Sequence, residues 1–187
     1  EPALCRAFYE RTGCPMHACY PLAKILWLKQ NRPELFARTK FIGSIKDHLF
    51  HAFTGEFLID RSTASTTALY NAHQLAWDAE ILNFIGITEE MLPPVVSTTE
   101  MRPLTAAAAE RMHLTAGLPV VIGATDGVLV NVGIGAVAAG QLSATIVRAV
   151  LCGCSSVSRV RMTQCVHGVI IWSTASGLRA VRSTTAA

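Results

Sequence analysis

The chain has 187 residues, of which 51% are apolar, 16% charged and 7% aromatic. That composition excludes a disordered or fibrous polymer and makes one domain the expectation, two small ones the limit. A formal net charge of +3 is too small to argue for nucleic acid or an anionic membrane as partner.

The first helical pattern starts at Pro21, which suits a first turn, with Leu22, Ile25, Leu26 and Trp27 as an apolar stripe. Asn31-Arg-Pro33 interrupts it, and Glu34 opens a second short turn. Ser44-Ile-Lys-Asp47 has the Ser-x-x-acid form of a helix start, and Gly55 supplies a stop. Residues 57–60 read as a short strand, and 60–65 as a stretch too polar and small to be core by itself. Helices are expected at 78–85 before Gly86, at 89–92 before Pro93-Pro94, and at 105–114.

Residues 119–122 are a continuous apolar run, the form of a buried strand, ending in Gly123-Ala-Thr-Asp126-Gly127. Residues 128–138 read as a small-residue helix and 142–146 alternate as a strand. Strand, turn with one Asp, helix and strand make an α/β unit. Residues 127–147 carry no charge, but their glycines and polar side chains favour a buried helix followed by a strand over a membrane span.

Six cysteines in a chain of this length are no disulfide scaffold, and Glu1 opens with charge and no apolar run behind it, so reduced thiols in a cytoplasmic chain are expected. The absence of an initial Met suggests a processed chain or a piece of one. His48 and His51 lack a carboxylate or third ligand at metal spacing, and the cysteines lack a CxxC pair, so no metal is expected. Gly133-Ile-Gly135 matches a dinucleotide fingerprint by letters alone, and close helix packing explains its glycines better.

The informative residue is Asp126. Open α/β sheets place ligands beyond the carboxyl ends of their strands, and a carboxylate there, followed by a glycine, has room for a substrate hydroxyl whose proton it could take. The competing reading is an N-cap for the following helix.

Several motifs occur in a familiar order: Thr12-Gly-Cys-Pro15, Tyr20-Pro-Leu-Ala-Lys-Ile-Leu-Trp27, Pro33-Glu-Leu-Phe36, Ser44-Ile-Lys46, Thr54-Gly-Glu56, Asp60-x-Ser-x-Ala-Ser65, Trp77-Asp, and Pro119-Val-Val-Ile-Gly-Ala-Thr-Asp126-Gly. In these, residues 1–146 resemble the FGGY carbohydrate kinases, most of all the gluconate kinase branch. The resemblance implies an α/β fold, here an incomplete ribonuclease H-like (actin-like ATPase) domain, helix-rich and then strand-helix-strand. It corresponds to the second half of the family's N-terminal domain. The implied activity is transfer of the ATP γ-phosphoryl group to a hydroxyl of gluconate or a similar sugar acid or polyol. Asp126 matches the family's catalytic base, Gly127 follows it, and His17 and Tyr20 lie near a segment that contributes to the sugar site. Thr145 falls on the nucleotide side.

ATP and magnesium are the implied cofactors, although most of the family's residues for them would lie outside this chain. The implied partners are a small sugar and ATP, with no nucleic acid and no membrane, and with room for a homo-oligomer. Little activity is expected of the isolated chain. A xylulose- or glycerol-type kinase of the same family, and a non-catalytic pseudogene product or sugar-binding module, are the alternatives.

The last 41 residues differ in kind. Residues 1–146 hold eleven basic side chains against thirteen acidic, whereas 147–187 hold five against none and lack Lys, Asn, Pro, Phe and Tyr. Relatives continue after Ala-Thr-Ile with Gly-Thr-Ser-Gly-Ala-Val-Arg, a phosphate-binding segment, where this chain reads Val147-Arg-Ala-Val-Leu-Cys-Gly153. Encoding the family peptide as GGTACGAGCGGTGCTGTGCGG, with synonymous third bases chosen to suit, and deleting one G from the first codon yields the observed seven residues. Residues 147–187 are therefore expected to be an out-of-frame tail, irregular or disordered.

Overall fold

The computed structural model describes residues 2–138, 141–146, 150–155, 160–166 and 169–174. The chain divides into two units, Glu1–Ala124 and Thr125–Ala187.

In the first unit, α1 (Pro2–Thr12) buries Phe8 and Thr12. Its Arg11 guanidinium lies 3.0 Å from Asp78 and 2.5 Å from Glu80, tying α1 to the residues that open a later helix. Helix α2 (Pro21–Asn31) begins on its proline and buries Leu22 and Ile25. Trp27, placed in the apolar stripe by the sequence, is instead 57% exposed. It stands two residues from Ile25, which puts it on the opposite side of a helix with 3.6 residues per turn. Pro33 then starts α3 (Pro33–Arg38).

Helix α4 (Ile45–Thr54) carries the expected capping box: Ser44 Oγ accepts from Asp47 N–H, and an Asp47 carboxylate oxygen accepts from Ser44 N–H. It ends at Gly55 as expected. Strand β1 (Ile59–Asp60) follows, pairing in parallel with β4 (Val95–Val96).

The stretch read as too polar for core forms α5 (Arg61–Ser65), with Asp60 and Ala64 both at 0% exposure. Asp60 can be buried there because three donors nearby, the Thr63 N–H, the Thr63 hydroxyl and Lys46 Nζ, meet its carboxylate. Strands β2 (Tyr70–Asn71) and β3 (Ala76–Trp77) form a small hairpin that leads into α6 (Ala79–Ile85), capped by Asp78.

Gly86 ends α6 at φ +78, and a Cβ added there would meet Lys29 Nζ, which donates to the Ile85 carbonyl. Gly86→Ala combines left-handed backbone strain with displacement of that ammonium. It is expected to destabilise the unit by about 1–2 kcal/mol, read as a lowered urea midpoint at unchanged slope.

Residues Glu89–Met91 form one 3-10 turn rather than an α-helix. Helix α7 (Ala106–Met112) is capped by Thr105. Strand β6 (Pro119–Val121) pairs antiparallel with β5 (Met101–Pro103). The sequence expects residues 119–122 to be a buried strand, but Pro119 and Val121 are exposed. With β5 as its sole ladder partner among the described residues, the strand's two-residue period turns only Val120 onto the clusters built on Phe50, Ile122 and Leu104. The main core of this unit gathers Phe8, Leu22, Ile59, Leu69, Trp77 and Ile81.

The second unit opens with α8 (Asp126–Gly133), shorter than the expected 128–138. It was expected to be buried, yet Val128, Leu129, Val130 and Val132 are exposed. Gly133 closes the helix and Gly135 turns the chain at φ +74. Nothing lies within 4 Å of a Cβ at either position, so backbone conformation at Gly135, not close packing, accounts for its glycine.

Strand β7 (Gln141–Ile146) agrees with the expected strand. It leads a four-stranded sheet with β8 (Val150–Ser155), β9 (Val160–Val166) and β10 (Val169–Thr174), in the order β7-β8-β10-β9. These three strands lie where the sequence expects irregular chain. Val, Ile, Thr and Cys are frequent there, and β-branched residues favour extended backbone whatever frame encodes them. Residues 147–149, 156–159, 167–168 and 175–187, also part of that expectation, lie outside the described residues. No helix among the described residues is long and apolar enough to cross a membrane.

Candidate functional site

Tyr20 immediately precedes α2 and borders a cavity of about 430 Å3 in the first unit. His17 serves the turn that delivers it: His17 Nδ1 accepts from the Cys19 N–H at 3.2 Å, and its carbonyl accepts from the Tyr20 N–H at 3.2 Å. The cavity brings Tyr20 together with Lys24 from α2, Asp47 from α4 and Thr63 and Thr66 from the α5 segment. His17 itself is exposed and is not part of the cavity wall.

Beside the cavity stands a buried ionic cluster that sequence reasoning did not single out as chemistry. Asp60, fully buried, accepts from the Thr63 N–H at 3.0 Å, from the Thr63 hydroxyl at 2.5 Å and from Lys46 Nζ at 2.5 Å. A carboxylate with three donors is satisfied, and its cation comes from a helix fourteen residues earlier. The Asp60-x-Ser-x-Ala-Ser65 motif is the signal that could have marked it.

Asp47 is different. One of its carboxylate oxygens serves the capping box, whereas Oδ1 is buried without a hydrogen-bond partner. Burial therefore pushes the Asp47 carboxyl above its usual value of 3.8, against the lowering effect of the Ser44 hydrogen bonds. A carboxyl raised in the folded state favours folding most below its unfolded pKa, and that contribution fades as the pH rises through the folded value. The stability of the natural chain relative to Asp47→Asn should accordingly grow as the pH is lowered from 7 towards 4. Paired denaturation curves check this, and a flat or opposite trend would contradict it.

Asp126 is the first residue of α8, and its carboxylate is exposed. The N-cap position belongs to Thr125, which corrects the reading of Asp126 as the cap. Asp126 Oδ1 accepts from the Gly127 N–H at 2.9 Å, which fixes the carboxylate at the mouth of the helix with Gly127 open beside it. Thr145 lies in β7, its backbone paired with Leu151. Among the described residues no three His, Cys, Asp or Glu side chains gather at metal-binding spacing.

Residues 1–133 match the N-terminal domain of the FGGY family of carbohydrate kinases. The chain belongs to that family. Among curated relatives it is 40% identical to a gluconokinase of Bacillus subtilis (strain 168) over 139 residues, covering 74% of this chain and 27% of that protein. The solved gluconate kinase from Lactobacillus acidophilus superimposes with a TM-score of 0.70 at 29% identity, over 73% of this chain and 28% of that one. A ligand-bound xylulose kinase from the same organism gives the same values. The fold is thus that of the FGGY sugar kinases, and this chain spans about a quarter of the length of the relatives it matches. Asp126 and Gly127 fall inside the matched span, and Thr145 falls beyond it.

Proposed function

We propose that these residues are part of an ATP-dependent sugar kinase that transfers a phosphoryl group to a hydroxyl of gluconate or a similar sugar acid or polyol. Asp126 is the general base, Gly127 leaves space for the acceptor, Tyr20 and His17 belong to the substrate side and Thr145 to the nucleotide side. Phosphoryl transfer asks the protein for an oriented acceptor, a carboxylate within reach of its proton and stabilisation of charge on the transferring group.

The observation that carries this reading is Asp126 itself: an exposed carboxylate, steadied by the Gly127 N–H at the N-terminus of α8, within a span that matches the kinase family. The similarity to gluconokinases supports gluconate as the first substrate to try.

The proposal includes the change of reading frame at Val147, which replaces a phosphate-binding segment by unrelated sequence. Without that segment the nucleotide is not held in line with the acceptor, and positioning is a large part of the rate. The 187-residue chain is expected to show no ATP-dependent phosphorylation of gluconate, xylulose or glycerol. The full-length frame-restored protein is expected to phosphorylate gluconate best, measured by ADP release coupled to NADH oxidation. Turnover by the 187-residue chain would contradict the loss of nucleotide positioning, and failure of the restored protein on all three acceptors would contradict the sugar kinase reading.

A further inference from the structure

Asp126 is set apart from the other aspartates by its neighbour and its surroundings. Of the four aspartates in the chain it alone is followed by glycine, and no asparagine is. Asp47, Asp60 and Asp78 are 1%, 0% and 3% exposed, and each serves the start of a helix. Asp126 and Gly127 are both exposed, and no neighbouring element comes within 4 Å of a Cβ placed on Gly127.

This placement brings a carboxyl group and a main-chain nitrogen together. The Gly127 N–H donates to Asp126 Oδ1 at 2.9 Å, so the nitrogen lies beside the carboxyl that bears that oxygen. Gly127 is the second residue of α8, in the turn whose N–H groups have no helical carbonyl to bond. Its nitrogen is therefore not committed to the helical ladder. Glycine also puts no side chain in the way of a ring and has the widest backbone freedom. The first turn of a helix frays, so the backbone rotation that ring closure requires is a local opening.

We propose that Asp126-Gly127 is a self-modification site, at which the aspartate isomerises through a cyclic imide to isoaspartate. The Gly127 nitrogen forms a bond to Asp126 Cγ, the Cγ–OH bond of the protonated carboxyl breaks, and the amide hydrogen leaves with that hydroxyl as water. One water then opens the imide. Attack at the side-chain carbonyl restores aspartate, whereas attack at the main-chain carbonyl routes the chain through Cγ and leaves the carboxylate on Cα. No other reagent is consumed. The product keeps its charge, but it lengthens the main chain by one methylene and moves the carboxylate. The isomerisation is independent of what the chain does, whereas its consequence rests on the kinase reading: a base displaced in this way no longer meets the acceptor hydroxyl.

The folded 187-residue chain is incubated at neutral pH in heavy-oxygen water, then digested in ordinary water and mapped by mass spectrometry with fragmentation that separates isoaspartate from aspartate. One heavy oxygen is expected to accumulate at residue 126, in both isomers, and none at Asp47, Asp60 or Asp78. Asp126→Glu, whose longer side chain does not form the same ring, and Gly127→Val, whose branched side chain crowds the nitrogen, are each expected to lose the label. Asp126→Asn closes the same ring with loss of ammonia and is expected to take up label faster, so its kinetics are read on freshly prepared protein. Label absent at residue 126, spread evenly over the four aspartates, or retained by the Glu and Val variants would overturn the proposal. The frame-restored kinase, aged in parallel, is expected to lose kcat in proportion to its isoaspartate content, with KM unchanged. Isoaspartate that accumulates without loss of kcat would leave the modification standing and take Asp126 out of catalysis, so the two readings fail separately.

Discussion

In the frame-restored kinase, Asp126→Asn is expected to lower kcat by about a thousandfold, within the range typical of a lost general base, with KM for the sugar little changed. The substitution keeps size and the ability to accept the Gly127 N–H, but an amide cannot take the proton of the attacking hydroxyl. Because Asp126 is exposed and serves no cap, the same substitution should leave the unfolding midpoint unchanged. A drop in kcat accompanied by equal loss of folded protein would instead assign Asp126 a structural role. Retention of near-natural kcat would remove it from catalysis. Steady-state kinetics with gluconate, read beside thermal unfolding, separates the three.

The largest effect on stability is expected from Asp60→Ala. That carboxylate caps α5 through the Thr63 N–H, accepts the Thr63 hydroxyl and neutralises Lys46. Loss of a cap costs about 1 kcal/mol, and stranding a buried charge costs about 3–5 kcal/mol. The Lys46 side chain is 32% exposed and can recover part of its hydration. The simple sum of about 4–6 kcal/mol is therefore an upper estimate, and the expected total is about 3 kcal/mol. Since small domains are stable by only about 5–15 kcal/mol, this would remove a large share of the stability of the first unit. Asp60→Asn can keep the cap through its one amide oxygen, but it puts an NH2 donor where Oδ2 accepted from Lys46 and the Thr63 hydroxyl, so it loses the ion pair and that acceptor and should fall between the two. Urea denaturation of the three proteins checks the order, and an Asp60→Ala chain as stable as the natural one would show that the cluster contributes nothing.

The helices that could be read from sequence are those whose ends are written locally. Pro21 starts α2, the Ser44–Asp47 box and Gly55 bracket α4, and Asp78 and Gly86 bracket α6, each a feature whose partners lie within a few residues. Helix α1 carries no such punctuation and is held by Arg11 reaching Asp78 and Glu80, a contact across some seventy residues that a linear pattern does not show. Burial is hidden from a linear pattern for a related reason. The 60–65 segment looks too polar for an interior until Lys46 is placed against Asp60, and β6 looks buried until its ladder is seen to have one partner among the described residues.

The candidate site divides in the same way. Asp126 could be found because a lone carboxylate after an apolar run and before a glycine is visible in the sequence, although its exposure and its bond to Gly127 came from the fold. The motif order gave the kinase family, and the match over residues 1–133 agrees with it. Asp47 could be read only as a capping residue. Its second carboxylate oxygen, buried without a hydrogen-bond partner, depends on the packing of α4 against segments distant in the chain.

The central claim is that a sugar kinase frame runs through residues 1–146 and is lost at Val147. The nucleotide sequence through codon 147 and several hundred bases on either side tests it directly. The account predicts that inserting one base near that codon restores Gly-Thr-Ser-Gly-Ala-Val-Arg and opens a continuous frame resembling the rest of an FGGY kinase. If no such frame appears with any single-base change, residues 147–187 are in their own frame, and the proposed loss of the phosphate-binding segment by frameshift is wrong.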